Sequence, residues 1–265
     1  MKKNLLFCFI SVLVGIQACR QNITTLEILK KTIDSIDTIE TIIYKQDMRR
    51  TNPQNPNDTI FRYREMHFKR LVSDSIVGVK GHWYMYINDK ENVIYEDIFD
   101  GNRLIRKNNK DSVARIYDLG KFPDFRKKHF WGHNTVYGMQ YEFKYILANS
   151  NLYSISSKSD TTMNGQACYQ IVIGLTDKMT MPGFSTRLED NKGSISKTTY
   201  IIDKENYYPI GMKGESYSSI NSGSKMFMEQ LYYDIQINHD IDEHELFNTT
   251  EETLVGFEKK EMKPN

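Results

Sequence analysis

Residues 79–118 decide the fold, and they read VKGHWYMYINDKENVIYEDIFDGNRLIRKNNKDSVARIYD. Apolar residues recur here in short runs with a period of two, which is typical of strands that bury a face. The pair Asp100-Gly101 and the polar run 108–111 separate these runs, and Asp-Gly is a strong hairpin signal. The segment therefore predicts a meander of short antiparallel strands.

The same strand pattern extends to both sides of this meander. It begins near residue 38, and it resumes from residue 152 to residue 237 with a turn signal at Asn164-Gly165. Two stretches have a helical period instead. The first starts with Thr24 and Glu27 at capping-box spacing. The second has Asn134 or Thr135 as its cap and runs to about Asn149. We count about eleven strands and two sizeable helices.

This count predicts an α+β domain built on one large curled antiparallel sheet. A sheet of about eleven strands curls, and two helices of about four turns each are too few to cover a whole face of it. We therefore predict a half-barrel with its helices over the concave face. Two arrangements stay open: the helices leave an apolar groove uncovered, or native side chains fill the concave side completely.

The first nineteen residues have the pattern of a bacterial lipoprotein precursor. Residues 2–3 are lysines, residues 5–16 form an apolar run, and Ala18 is a small residue before Cys19. The run is shorter than the roughly 20 residues that a membrane-spanning helix needs. Ile16-Gln17-Ala18-Cys19 resembles a lipobox, so we expect cleavage after residue 18 and acylation of Cys19. The alternative is an ordinary secretory signal with an incidental cysteine.

Composition limits the remaining functions. Removing 18 of the 265 residues leaves 33 basic and 34 acidic residues, because the removed segment has two lysines and no acid. A chain so close to neutral gives no electrostatic case for nucleic acid as a partner. Cys168 is then the single cysteine besides Cys19, and its strand-like surroundings predict a buried and inert thiol.

Three segments resemble the LolA-like superfamily, the periplasmic carriers that sort outer-membrane lipoproteins. They are Phe99–Leu104 with Ala114–Asp118, then Tyr200–Ile210, and Tyr233–Phe247. The first resembles the Asp-Gly hairpin of that family, the second its strand–turn–proline stretch, and the third its terminal strand and closing phenylalanine. One departure is Lys69-Arg70-Leu71, which lacks the proline that follows the arginine in the soluble carriers.

The resemblance implies an eleven-stranded half-barrel whose apolar cavity takes acyl chains. It covers about residues 24–247, and it is consistent with the half-covered sheet predicted above. The expected organisation is a lipoprotein signal peptide at 1–18, a lipidated terminus and short linker at 19–23, the half-barrel domain at 24–247, and a polar, loosely held tail at 248–265.

We interpret the chain as a lipid-anchored envelope protein that binds an acyl chain or other apolar ligand, in lipoprotein or lipid trafficking. The alternative is a non-catalytic protein-interaction module that uses the same fold with a filled cavity. No nucleophile with a base, nucleotide fingerprint or zinc motif is recognisable, so we predict no enzyme, cofactor or metal. The densest ligand-like run, His239–Glu245, is interpreted as a turn. The expected partners are a membrane, through the acyl chains, a lipid, and an envelope protein.

The candidate ligand-binding residues are apolar or aromatic side chains whose inward direction we infer from alternation: Phe61, Tyr63, Trp83, Met85, Tyr137, Tyr141, Met181 and Phe184. The last two lie in a long loop that would suit a flap over an acyl chain, although an ordinary loop fits the same pattern.

A second candidate surface mixes cations with an aromatic residue and would contact a membrane or a lipid headgroup: Arg126, Lys127, Lys128 and Trp131. A solvated loop whose aromatics cover the sheet edge is the alternative. Arg20, rather than aspartate, follows Cys19, and no acidic run follows it. We therefore predict an outer-membrane location facing the periplasm.

Overall fold

The computed structural model describes residues 23–52, 54–74, 77–122, 135–175, 195–217 and 225–263. Its helices are α1 (Thr25–Asp37), α2 (Val136–Ala148) and α3 (Glu243–Leu246). Its strands are β1 (Thr41–Asn52), β2 (Asn55–Arg70), β3 (Val79–Ile87), β4 (Val93–Phe99), β5 (Arg103–Asn108), β6 (Val113–Asp118), β7 (Tyr153–Met163), β8 (Gln166–Leu175), β9 (Ile195–Asp203), β10 (Pro209–Tyr217), β11 (Lys225–Ile237) and β12 (Glu258–Met262). Short 3-10 turns cover Leu119–Lys121, Ser150–Leu152 and Glu251–Leu254.

All these strands belong to one sheet with the order β12-β6-β5-β4-β3-β2-β1-β11-β10-β9-β8-β7. Neighbours are antiparallel, except that β12 runs parallel to β6. The chain thus forms two meanders, β1–β6 and β7–β11, and the pairing of β1 with β11 joins them. The predicted curled antiparallel half-barrel is confirmed, with twelve strands in the described ranges in place of about eleven.

Both predicted hairpin turns form, and each uses a residue that tolerates a positive φ. Asn164 (φ 50°) and Gly165 (φ 82°) make the two-residue connection from β7 to β8. Between β4 and β5, the Asp100 carboxylate accepts the N–H groups of Asn102 and Arg103, both at 2.8 Å. Gly101 at that turn has φ 110°, which a residue with a Cβ atom adopts only with strain.

The two long helices begin at the predicted caps. At α1, the Thr24 hydroxyl accepts the N–H of Glu27 at 3.2 Å, and the Thr24 N–H donates to the Glu27 carboxylate at 2.7 Å. At α2, the Thr135 hydroxyl accepts the N–H of Gly138 at 3.0 Å. The helices also contact each other, since the α2 side chain of Gln140 donates to the carbonyl of Ile33 at 2.9 Å. Together they lie on the concave face of the sheet.

The C-terminal residues are held more firmly than the sequence predicts. Leu254 is buried against Ile105 and Ile116 on the face of β5 and β6 that points away from the helices. Residues 258–262 then pair with β6. The prediction of a loosely held tail is therefore wrong for residues 251–262. Leu254 and the partly buried Phe257 belong to a second small core with Ile105 and Ile116, and this packing together with the pairing to β6 fixes the segment.

Candidate functional site

The concave face changes its chemistry halfway along the central strands. Side chains alternate along a strand, and paired residues share a face. In the half beneath the helices, Tyr44 pairs with Met66, and both are buried in the main core. Further along the same face, Gln46 pairs with Arg64, and Arg62 follows two residues away. An apolar half and a basic half therefore share one continuous surface.

Under the helices, native side chains fill the concave face. Phe143 of α2 meets Tyr200 of β9 with 4.8 Å between ring centroids, and Phe68 of β2 meets Tyr137 of α2 at 6.4 Å. Trp83 of β3 lies 6.0 Å from Phe68 and is 1% exposed. We call this region the covered half. The described residues form a hydrophobic core of buried side chains there.

The other half of the concave face, which we call the open half, contains a cavity of about 570 Å³. Small-molecule sites are typically of about 300–1,000 Å³. Residues of strands β1 to β6 and of β11 line the cavity. Its cationic walls are Arg50, Arg62, Arg64, Arg106 and Arg115. Its apolar walls are Met48, Met85, Ile87 and Met228, with the aromatic rings of Tyr95 and Tyr117.

A belt of buried polar side chains separates the two halves. Gln46 donates through Nε2 to Oε1 of Gln230 at 2.7 Å, and Tyr232 donates its hydroxyl to the same oxygen at 3.1 Å. The Arg64 guanidinium donates to Oε1 of Gln46 at 3.1 Å. Both glutamine amides are inaccessible to solvent. The belt fixes Arg64 at the inner end of the cavity, because a buried hydrogen-bonded network has few alternative arrangements.

The electrostatics of the cavity are dominated by positive charge. Burial lowers the pKa of Arg64 to about 10, and the nearby charge of Arg62 adds to this effect. Burial, followed by the charge of Arg50, also lowers the pKa of Arg62. With a pKa of about 10, Arg64 remains charged at neutral pH. In the described ranges, Arg106, unlike Arg62 and Arg64, has a carboxylate partner: its Nε donates to the Asp97 carboxylate at 2.8 Å.

Four predicted ligand-binding residues lie on the helix side of the sheet or on a helix. Met85 lines the cavity, while Trp83 belongs to the filled core. Tyr137 is buried in the same core, and its hydroxyl donates to the carbonyl of Ile39 at 3.3 Å. Tyr141 lies on α2 and is half-buried. The structure therefore brings one of these four side chains, Met85, to the cavity wall.

Phe61 and Tyr63 point the other way, so their predicted inward direction is wrong. Tyr63 pairs with Asp47 and Tyr86, which belong to the convex face, and Lys90 lies 4.5 Å above its ring. Phe61 is 42% exposed. Strand β2 carries large apolar side chains on both parities, and the sequence does not reveal which parity faces the helices.

The remaining predicted site residues lie outside the described ranges. These are Cys19, Met181, Phe184, Arg126, Lys127, Lys128 and Trp131. Their roles as lipidation site, flap and headgroup contact stay predictions.

The cavity arginines are the residues that sequence reasoning missed. An arginine on a strand is usually assigned to the solvent-facing side. The phase of β2 carried the opposite signal, because Arg62 and Arg64 are in register with Met66 and Phe68, which belong to the buried face. When two charged residues alternate on the same face of a strand as two buried apolar residues, the pattern indicates a polar site on the inner face.

Arg70, the arginine named in the family comparison, binds backbone carbonyls of the fold and does not line the cavity. Its Nε donates to the carbonyl of Ile39 at 2.8 Å, and Nη2 donates to the carbonyl of Ile36 at 2.6 Å. Its guanidinium also lies 5.2 Å from the ring centre of Tyr137. These contacts satisfy carbonyls at the C-terminal end of α1, so Arg70 attaches that helix to the sheet.

Two other sequence features have structural explanations. Cys168 is free and fully buried, and burial raises the pKa of its thiol, as expected for an inert cysteine. In the run 239–245, Asp242 caps α3, and Glu243 pairs with Lys69 at 2.5 Å. Among the described residues, no group of three or more histidines, cysteines or carboxylates is arranged to hold a metal ion. No helix within the described ranges is long and apolar enough to cross a membrane.

Fold and site together define a half-barrel with one filled half and one open, basic half. No protein-family model matches the chain, and no curated protein matches it. Solved structures match the chain in their fold. The lipoprotein LppX of Mycobacterium tuberculosis is 10% identical, with a TM-score of 0.45 over 82% of this chain and 97% of that one. LprF of Mycobacterium bovis is 9% identical, with a TM-score of 0.44 over 82% and 95%.

A further match is to a member of the family that the sequence resembles. The LolA superfamily protein NE2245 of Nitrosomonas europaea is 11% identical, with a TM-score of 0.34 over 84% of this chain and 97% of that one.

Proposed function

We propose that this protein is a lipid-anchored protein of the bacterial envelope that binds the apolar part of a ligand, such as an acyl chain, in the open half of its half-barrel. The anchor would be Cys19, and the folded domain would face the periplasm from the outer membrane. The protein would act by binding and not by catalysis. One observation carries the proposal: the helices leave part of the concave face uncovered, and a cavity of about 570 Å³ remains there.

The apolar walls of this cavity suit a flexible chain. Met48, Met85 and Met228 are unbranched side chains that adapt to irregular shapes. Each methylene that a ligand buried against them would contribute about 0.8 kcal/mol. Because the covered half is already filled, the bound segment would be short, or part of it would extend out of the cavity.

The residues outside the described ranges keep their proposed roles. Met181 and Phe184 would form a flap over the bound chain. Arg126, Lys127, Lys128 and Trp131 would contact a headgroup or the membrane surface. Trp83, Tyr137 and Tyr141 would support the site indirectly, through the core that holds β3 and α2 in place.

The binding proposal is tested with the chain from residue 20 onward, which keeps every residue of the fold described above. We expect native mass spectrometry to detect a co-purified lipid, and a fluorescent fatty acid to bind. Met85→Trp, which fills part of the cavity, should weaken this binding about tenfold. Tyr86→Trp, on the convex face of the same strand, is the control and should leave it unchanged. Absence of both lipid and uptake would contradict the proposal.

The same preparation separates the alternative. A specific crosslink to one envelope protein, together with the absence of lipid, would favour a protein-interaction module instead.

The anchor is tested by fractionating cells that carry the natural protein or Cys19→Ala. We expect the natural protein to require detergent for extraction and the variant to be released without it. A variant that still requires detergent would refute acylation of Cys19 as the anchor.

A further inference from the structure

Five arginines from four different strands converge on the open half of the concave face. They are Arg50 of β1, Arg62 and Arg64 of β2, Arg106 of β5 and Arg115 of β6. The described residues that line the cavity include no carboxylate, and one carboxylate, Asp97, lies beside it and binds Arg106. Five positive charges against one negative charge leave an excess of four.

Three of these arginines have buried polar atoms without a protein partner. In the described part of the chain, three guanidinium nitrogens are buried from solvent and donate no hydrogen bond: Nε of Arg50, Nε of Arg62 and Nε of Arg64. Arg64 as a whole is 5% exposed and lines the cavity. A buried donor that lacks an acceptor destabilises a protein, and an unpaired buried charge does so more strongly. The site is therefore electrostatically incomplete as it stands.

The arginines are also close enough to repel one another. Arg106 and Arg115 are direct partners across β5 and β6, a position in which like charges are unfavourable. Arg62 feels the charge of Arg50, and Arg64 feels that of Arg62. These cations stabilise the protein only if something negative lies among them.

Cations on the convex face of the same strands are arranged differently. Lys45 pairs with Asp234 at 2.9 Å, Lys90 with Asp47 at 2.9 Å, and Arg49 with Glu229. Arg49 and Arg50 are neighbours in sequence on opposite faces of β1, and only the outward one has a carboxylate partner among the described residues. For this pair of neighbours, the described contacts give a carboxylate partner to the outward arginine and none to the cavity arginine.

We propose that this cavity is a phosphate-binding site, and that the arginines hold the phosphate group of the ligand while the methionines contact its adjoining apolar part. Guanidinium groups present paired donors that match phosphate oxygens, and several together can neutralise a group with two negative charges. A single carboxylate, with one negative charge, would leave most of the excess. This inference rests on the ligand-binding function proposed above and names the chemistry of that ligand.

The experiment compares three probes on the chain from residue 20 onward: lysophosphatidic acid, a monoacylglycerol with the same acyl chain, and inorganic phosphate. Binding is followed by calorimetry at constant ionic strength. We expect lysophosphatidic acid to bind at least about tenfold more tightly than the monoacylglycerol, and inorganic phosphate to compete with it. Equal affinity for the two lipids would overturn the phosphate assignment and leave the proposed function standing.

Variants of the arginines supply the second arm. Arg50→Met and Arg62→Met should each weaken lysophosphatidic acid about tenfold or more and leave the monoacylglycerol unchanged. Arg49→Met is the matched control on the opposite face and should change neither. Arg62→Lys, which keeps the charge but not the paired donors, should recover part of the affinity. Equal behaviour of Arg50→Met and Arg49→Met would overturn the inference.

The probes also distinguish the source of the phosphate. Binding of inorganic phosphate that is lost in Arg62→Met, without any gain from an acyl chain, would support the phosphate site and contradict lipid binding. Failure of all three probes would overturn both proposals.

Discussion

The covered and open halves of the concave face share strands, yet the side chains that they present are chemically different. Along β2, Met66 and Phe68 enter a closed apolar core, whereas Arg62 and Arg64 line a cavity. The covered half stabilises the fold through burial, and the open half contains charges that the fold does not satisfy. One part of the sheet thus contributes stability, and the other part presents the proposed ligand site.

A belt of buried polar side chains lies between the two halves, and it includes the hydrogen-bonded glutamines Gln46 and Gln230. If this boundary isolates the halves, a change in one should leave the property of the other intact. The variants below change the covered half, the open half and the convex face in turn.

The largest effect should follow from truncating the covered half. Phe143→Ala removes a fully buried ring that packs against Tyr200, so we expect the free energy of unfolding to fall by about 4 kcal/mol. Urea denaturation measures the loss. If phosphate binds as proposed, it should still stabilise the folded fraction of this variant, because neither Phe143 nor Tyr200 lines the cavity. A loss of both would show that the halves are coupled.

A smaller loss is expected at Asp97, the carboxylate that lies beside the cavity and binds Arg106. Asp97 is 1% exposed and binds Arg106 with two oxygens. Asp97→Asn leaves the arginine charge without its partner, which should cost about 3 kcal/mol in the same denaturation experiment. Added phosphate should stabilise this variant more than the natural protein. A cost below about 1 kcal/mol would mean that Arg106 is well solvated without Asp97.

Removing a cavity arginine should raise the free energy of unfolding instead of lowering it. Arg62→Met replaces a partly buried charge that has no carboxylate partner in the described residues, so the protein should become more stable by about 1 kcal/mol. Arg49→Met, which removes an outward charge paired with Glu229, should change stability by about 0.5 kcal/mol or less. If Arg62→Met destabilises the protein, the cavity charges are satisfied in a way that the contacts above do not include.

The smallest effect concerns the paired cations of the convex face. The hydrogen bond from Lys69, followed by that from Lys80, lowers the pKa of Glu243 below its usual 4.5. A lowered carboxyl pKa contributes stability above the unfolded value, and this is lost as the pH falls through the folded value. Because water screens this exposed pair, Glu243→Gln should cost about 0.5 kcal/mol at pH 7.

At a pH low enough to protonate Glu243 in the folded protein as well, the variant and the natural protein should unfold at the same urea concentration. A difference that survives under these acidic conditions would point to packing of α3 and not to the charge.

Local signals explain the parts of the fold that the sequence predicts well. Asp100-Gly101, Asn164-Gly165, Thr24 and Thr135 mark turns and caps through their own side chains or backbone freedom, and each appears where it was expected. The meander follows from these signals because antiparallel neighbours need only short connections.

The open half could not be predicted in the same way. Alternation divides β2 into two sets of residues, but the pairing of β1 with β2 and β11 decides which set faces the helices. With Phe61 and Tyr63 on one set and Met66 and Phe68 on the other, apolar content favours neither. Alternation alone therefore does not identify Arg62 and Arg64 as interior residues. The position of β12 depends on a contact of Leu254 with distant strands, which no local pattern records.

The position of β1 in the sheet also constrains how the chain can fold as it is synthesised. Lys45 of β1 meets Asp234 of β11, a partner 189 residues further along the chain. Until that partner arrives, one edge of β1 has unpaired backbone groups, which attract other strands and promote aggregation. Contacts between such distant residues also slow folding. A nascent chain of this protein thus depends on protection of that edge from the emergence of residue 41 until residue 237 follows.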